Sequence, residues 1–328
     1  MIVSSQKSEV ANSSLLIVNS KNNSLSHQPS TISHQLLNLL PIIRHLSLFL
    51  YCLLFITACG HTPPKLSDAH LRAVEFNQKA ESAFKKGNYK NALDFYDKAL
   101  KINRSIENID GIAINLINMA AVYYRLNDKD NALRYIDEAL KPLDLEVRNK
   151  LLSEAMFLKS LLYLEDGDYE KAVQYADLSL SSCQKESCLE EGKIYNLKGR
   201  IALLKEDSAS AVTLGMEGLK LNEAHDDKLE MANSLRLTAE AKTKNREYEE
   251  AKRLYEEAML IDKSIGLSKK IAMDLMGIGN LFFRQELFEK ALSYYQRALS
   301  VSKEAGYEQG LKDAIQMIEK CSLTLNKK

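Results

Sequence analysis

Six alanines, Ala92, Ala132, Ala172, Ala211, Ala251 and Ala291, follow one another at intervals of 40, 40, 39, 40 and 40 residues. A fixed interval of this size marks a supersecondary unit repeated in tandem. Each unit buries its apolar face against its neighbours, so the chain stacks into a solenoid instead of closing round one core. The composition says what the unit is made of. Of the five prolines only Pro142 falls inside the repeated region, and the chain is 45% hydrophobic and 27% charged with no Trp. Proline-poor sequence rich in Ala, Leu, Lys and Glu favours long helices, so the expected fold class is all-α.

Around each alanine the same residues return. The clearest instances are Gly87-Asn-Tyr89-Lys-Asn-Ala92-Leu-Asp-Phe-Tyr96-Asp-Lys-Ala99-Leu100 and Phe288-Glu-Lys-Ala291-Leu-Ser-Tyr-Tyr295-Gln-Arg-Ala298-Leu299. Twelve residues before each marker, in the first half of the same unit, stand the small residues Ala80, Ala120, Ser160, Gly199, Ala239 and Gly279. This pattern resembles the tetratricopeptide repeat, a pair of antiparallel helices. Unit two carries Lys129 and Ile136 where the family has aromatics, and unit four carries Gly215 and Gly218 where it has Tyr and Ala. The resemblance implies a right-handed α-solenoid of six helix pairs over residues 71–308, closed by a capping helix over 309–328. The physical reason for the small residues is close approach of the two helices of a pair, while the tyrosines fill the space between pairs. A unit of 40 residues exceeds the usual 34, which lengthens the arms by about 9 Å if all the extra residues are helical.

A second stretch, from Arg44 to Gly60, carries an address. One positive residue precedes the apolar run Leu46–Ile56 and the small residues Thr57-Ala58 before Cys59. That is the layout of a secretory signal, with an apolar run too short for a comfortable membrane span; the alternative is an uncleaved apolar anchor or a Cys59 without a role. Ile56-Thr57-Ala58-Cys59 resembles the bacterial lipobox, which implies cleavage before Cys59 and acylation of that cysteine. Several acyl chains anchor stably where one does not. Residues 1–58 are thus expected to comprise an overlong Ser- and Asn-rich extension, with a start misassigned upstream, and a signal peptide. Residues 59–70 are expected to form an extended tether. Gly60 after the lipid-bearing cysteine resembles lipoproteins forwarded to the outer membrane, which in a host with two membranes implies an outer-membrane protein facing the periplasm.

Export places the remaining cysteines in an oxidising compartment. Cys183 and Cys188 flank a short loop between units three and four, which suits a disulfide, with two free thiols as the alternative; Cys321 reads as a buried small hydrophobe. Nothing in the chain points to catalysis or a cofactor. It has no phosphate-binding glycine loop, no G-x-S-x-G and no H-E-x-x-H. His225-Asp226-Asp227 is a weak metal candidate against a solvated loop. Beyond residue 58 there are 41 basic and 43 acidic residues, which leaves no nucleic-acid footprint.

By the family resemblance, the first helix of each pair lines a concave face, and its second, fifth, ninth, twelfth and thirteenth positions are the contacts. These positions bring together Asn77, Glu81, Phe84, Ile117, Tyr124, Arg125, Phe157, Leu161, Asn196, Arg200, Arg236, Glu240, Met273, Met276, Asn280 and Arg284. A mixture of aromatics, Met and Arg suits an extended peptide or a partner helix. The carboxylate clamp of co-chaperones is missing, because units one to three offer Asn77 and Glu81, Asn118, then Glu154 and Leu158. The expected function is a non-catalytic, lipid-anchored scaffold that binds a protein or peptide during assembly of an envelope complex, similar to pilotins. The alternatives are a regulatory or sensory peptide receptor and an activator of a cell-wall enzyme.

Overall fold

The computed structural model describes residues 67–141, 143, 150–183, 188 and 190–326. The expected signal peptide, Cys59 and residues 59–66 of the expected tether lie outside them; of the rest of that tether, Ser67 caps the first helix and residues 68–70 already belong to it. Among the described residues there are thirteen helices and no strand. Twelve form consecutive antiparallel pairs: α1 (Asp68–Lys85) with α2 (Tyr89–Ser105), α3 (Ile109–Arg125) with α4 (Lys129–Leu140), and α5 (Lys150–Glu165) with α6 (Tyr169–Cys183). The series continues with α7 (Glu191–Leu204) and α8 (Ser208–Ala224), α9 (Lys228–Lys244) and α10 (Tyr248–Ser264), then α11 (Ser268–Arg284) and α12 (Phe288–Glu304). The thirteenth, α13 (Glu308–Leu325), covers the last pair.

The repeat length follows from the turns. Seven of the helices are 17 residues long, and ten of the connections are three residues. Two such helices with two such turns make one 40-residue unit, so the turn between pairs is the same device as the turn within a pair. In each of these turns the middle residue has positive φ, as at Gly87 (74°), Gly266 (75°), Asn127 (59°) and Arg246 (65°). The hydrogen bonds are those of a Schellman stop: Gly87 N–H donates to the Phe84 carbonyl at 2.9 Å and Asn88 N–H to the Ala83 carbonyl at 2.9 Å. The next residue then starts the following helix. Asn88, Asn108, Asp128, Asp168, Asp207 and Asp227 each accept from a backbone N–H three residues on.

Odd-numbered helices from α3 to α13 pack on one another in an inner layer, whereas each even-numbered helix packs chiefly on its chain neighbours. All six marker alanines are completely buried, as are Ala80, Ala120, Ser160 and Ala239. At Gly279 a Cβ would lie 2.5 Å from the Tyr295 ring, so that pair closes only because no side chain is there. The buried apolar residues form two main clusters, one from Ala80 to Ile201 and one from Leu219 to Cys321. The break falls in unit four, where α8 presents Gly215 and Gly218 instead of large side chains. Just before it, Cys183 at the end of α6 is disulfide-bonded to Cys188, with Cα atoms 5.1 Å apart. Cys321 is free and buried, its Sγ donating to the Phe288 carbonyl at 3.3 Å.

Candidate functional site

The inner layer encloses a groove of about 920 Å³ that runs from Tyr124 on α3 to Lys320 on α13. Its lining obeys the 40-residue register. Leu161, Arg200, Glu240, Asn280 and Lys320 form one column, and Glu165, Leu204, Lys244 and Arg284 form a second. Between them stand Tyr169, Tyr255, Met273, Met276, Phe283 and Met317. The thioethers and rings supply adaptable apolar area, and the columns supply charge at regular steps.

Several polar groups are already fixed. Tyr124 donates its hydroxyl to Glu165 Oε1 at 2.7 Å, and burial together with that carboxylate pushes its pKa up. Lys244 donates to the Leu203 carbonyl at 2.9 Å, which ties the end of α9 to the end of α7. Tyr295 donates to Asn280 Oδ1 at 2.9 Å. Glu240 lies within electrostatic reach of Arg200, Lys244 and Arg284; burial raises its pKa while the three cations pull it back. Arg284 is exposed on the groove wall and carries no ion pair among the described residues.

Of the sequence-based candidates, the structure brings Tyr124, Leu161, Arg200, Arg236, Glu240, Met273, Met276, Asn280 and Arg284 into the groove. It does not bring in the others. Ile117 and Phe157 are buried, with Lys193 Nζ lying 4.5 Å from the Phe157 ring centroid. Asn196 is spent inside the joint between units four and five, donating to the Glu230 carbonyl at 3.1 Å and accepting from Ser234 at 2.7 Å. Asn77 accepts from Asn115, Phe84 packs against Tyr89 at 5.8 Å, and Arg125 lies outside the lining, as does Glu81, which pairs with Lys85 at 2.6 Å.

One cause covers the errors at the fifth position. There the first helix of a unit meets the end of its own second helix and the start of the next unit. Asn77, Asn103 and Asn115 form such a node, in which Asn103 donates to Asn115 at 2.7 Å and Asn115 to Asn77. Asn196, Asn222 and Ser234 repeat it three units later, with Asn222 donating to Ser234 at 3.1 Å. In the next unit the same places hold Arg236, Asp262 and Asp274. The guanidinium donates to Asp274 Oδ1 at 2.8 Å and to Asp262, and burial raises both carboxyl pKa values against its pull. Arg236 thus reaches the groove with its charge already answered.

The sequence reasoning missed Glu165, Leu204, Lys244 and Phe283, and also Gln316, Met317 and Lys320 on the capping helix. The signal was present: Lys320 stands 40 residues after Asn280. Among the described residues no group of three or more His, Cys, Asp or Glu is arranged to hold a metal, and no helix is long and apolar enough to cross a membrane. His225 ends α8 and is exposed, while Asp227 caps α9 through the Glu230 N–H at 3.0 Å.

Family models described as tetratricopeptide repeat match residues 72–141 and 230–304, and a second such model matches residues 117–187. The chain belongs to the tetratricopeptide repeat family. No curated protein matches it by sequence. Among solved structures, tetratricopeptide neighbours share the fold at low identity. A Rap protein complexed with competence and sporulation factor superposes with a TM-score of 0.57 at 14% identity, covering 80% of this chain and 78% of that one. Pseudomonas aeruginosa PilF gives 0.53 at 19%, covering 75% and 98%. Aspartyl phosphate phosphatase F from Bacillus subtilis gives 0.55 at 14%, covering 86% and 81%.

Proposed function

We propose that this tetratricopeptide protein is a non-catalytic scaffold that holds an extended segment of a partner protein in the groove between α3 and α13, while Cys59 anchors it to a bacterial envelope membrane. The observation that carries the binding role is the groove itself. It is concave, lies within the size range of specific ligand sites, and mixes Met and aromatic area with charged groups in register. The lipid anchor rests on the Ile56-Thr57-Ala58-Cys59 motif, and the proposed setting is the outer membrane facing the periplasm, in pilotin-like assembly of an envelope complex. A solenoid tethered by its first residue would present its groove to passing envelope subunits.

A photocrosslinker at Arg284, with the protein expressed in a bacterial host and exported, tests the binding reading. One discrete crosslinked protein, lost when the partner's segment is deleted, is the expected result; a crosslink pattern identical to that from a convex-face position such as Lys101 would sink it. Palmitate labelling tests the anchor separately, since Cys59→Ser must abolish label and release the protein from membranes. A second reading, a receptor for a free regulatory peptide, draws on the modest volume of the groove and on the Rap protein's bound factor. It expects crosslinking to a peptide, not to a protein subunit.

A further inference from the structure

The capping helix α13 has two working sides. One lines the groove, where Asp313 accepts from Gln309 at 2.9 Å and Lys320 Nζ lies 5.0 Å from the Phe283 ring centroid. On the other, Glu308, Lys312, Ile315, Glu319 and Leu323 follow at steps of four, three, four and four, which sets them in one stripe along the helix. All five are exposed, Ile315 at 42% and Leu323 at 63%. The 40-residue register shows how unusual this is. Lys312, Ile315 and Glu319 take the places that Ala272, Leu275 and Gly279 hold in unit six and Ala232, Leu235 and Ala239 in unit five, all of them buried. Two charges thus stand where those units bury small residues, which keeps out the close approach of a further helix of the repeat. The opposite end of the solenoid is finished differently. There α1 exposes Arg72, Glu75, Gln78 and Lys79, and Glu75 and Lys79 already pair with each other at 2.6 Å.

We propose that this stripe is the interface of a two-fold dimer, in which a second copy of the chain lays its own α13 antiparallel along the first. The order of the charges decides the partner. Lys312 and Glu319 lie at equal distances on either side of the point midway between residues 315 and 316. Reversing one copy about that point sets each Lys312 against the other copy's Glu319 and brings the two Ile315 side chains together, while each Leu323 reaches the first turn of the other α13. A parallel copy would oppose like charges instead. Neither charge is answered at home. The two are about 10 Å apart along the helix, too far to meet, and neither has an ion pair among the described residues. Because the interface is isologous it closes at two copies and leaves no unpaired stripe behind. A helix of 18 residues is about 27 Å long, so one such contact is smaller than a standard interface and the dissociation constant is expected in the micromolar range. The groove side of α13 stays open, so the proposal does not depend on groove binding.

The test is crosslinking of the purified full chain with a short bismaleimide through Ile315→Cys, a substitution at an exposed position. The chain without that substitution gives the background from its own cysteines, and Gln78→Cys on the exposed face of α1 gives the yield of random collision. Ile315→Cys should form a covalent homodimer about fivefold or more above both controls, with the yield falling on dilution through the micromolar range. Added to it, Lys312→Glu or Glu319→Lys alone turns both intermolecular pairs repulsive and should lower the yield about fivefold. Both reversals together restore opposite charges across the two-fold axis and should bring the yield back to within about twofold of the start. That rescue cannot arise inside one chain, where the two residues do not meet. Equal yields from Ile315→Cys and Gln78→Cys, single reversals without effect, or a double reversal as weak as the single ones would each overturn the proposal. So would a crosslink from Ile315→Cys in the exporting host that joins it to a different protein and never to a second copy.

Discussion

At the scale of single residues, the nodes between units carry the most information. Asn77, Asn103 and Asn115 form a neutral polar set, Arg236, Asp262 and Asp274 an ionic one, and Met276 with Ser302 and Ala314 occupies the same places one unit on. In the first two sets each polar group takes its partner from the others. Arg236→Met alone leaves two buried aspartates without their cation, and is expected to cost about 3–5 kcal/mol in a denaturant titration. Adding Asp262→Ser and Asp274→Ala, which transplants the neighbouring node, should restore at least wild-type stability. A triple variant no better than the single one would show that the node is not an independent unit. A different buried acid reports through pH. Burial and the nearby Glu190 lift Glu154 to about 7, although Lys150 lies 3.7 Å away. Its folded pKa exceeds its unfolded value, so the native state binds the extra proton and this group's contribution to stability falls as pH rises from about 4.5 through 7. Glu154→Gln should remove that slope, making the variant more stable than wild type at pH 8 by on the order of 2 kcal/mol, with the gap closing by pH 5. Parallel melting curves at both pH values would refute it.

At the scale of elements, the turns explain both what could be read from the sequence and what could not. The alanine interval was legible because helix approach tolerates only small side chains, and its six markers are completely buried. The fifth-position residues were misread because a helical pattern says which face a residue occupies, and not whether the next unit covers that face; Asn196 and Phe157 are covered. The ninth and thirteenth columns were legible in part, since Arg200 and Arg284 line the groove, while Lys320 went unread because a capping helix reads as a lid and not as a continuation of the register. Turn chemistry supplies its own prediction. Glu107, Asn127, Glu206, Asp226, Arg246 and Glu286 hold the left-handed conformation that Gly87, Gly167, Gly266 and Gly306 hold without strain. Arg246→Gly and Glu286→Gly should each stabilise the protein by about 0.5–1 kcal/mol, read as a raised denaturant midpoint. Asp227→Ala, which removes the cap on Glu230, should cost about 1 kcal/mol. A loss of stability in either glycine variant would mean that those side chains make contacts worth more than the strain.

At the scale of the whole molecule, a solenoid transmits stability only between neighbours, so a weak joint divides it. Here the joint is in unit four. The first main apolar cluster ends at Ile201 on α7 and the second begins at Leu219 on α8, and the apolar set that crosses between them is small, Leu203, Ala211, Leu237 and Ala241, because Gly215 and Gly218 give α8 little side chain. Gly215 has no room for a larger residue, since a Cβ would lie 2.4 Å from Thr238 Oγ1, so the close approach of α8 to α9 depends on its absence. The disulfide Cys183–Cys188 sits on the N-terminal side of the same joint. Damage to one half should therefore stay there. Leu158, fully buried in α5, is expected to lose about 2–5 kcal/mol on replacement by Ala. Hydrogen exchange of Leu158→Ala should accelerate in α3 to α7 while α10 to α12 keep wild-type rates, and Leu235→Ala should give the converse pattern. Reduction of the disulfide should loosen α7 first and extend the effect of Leu158→Ala no further than α8. The groove spans both halves, with Arg200 before the joint and Arg284 beyond it, so a bound segment would bridge the weak place. A peptide that binds should slow exchange in both halves together and reduce the difference between the two variants. Uniform acceleration by either substitution without peptide would show instead that the solenoid opens as a single cooperative unit.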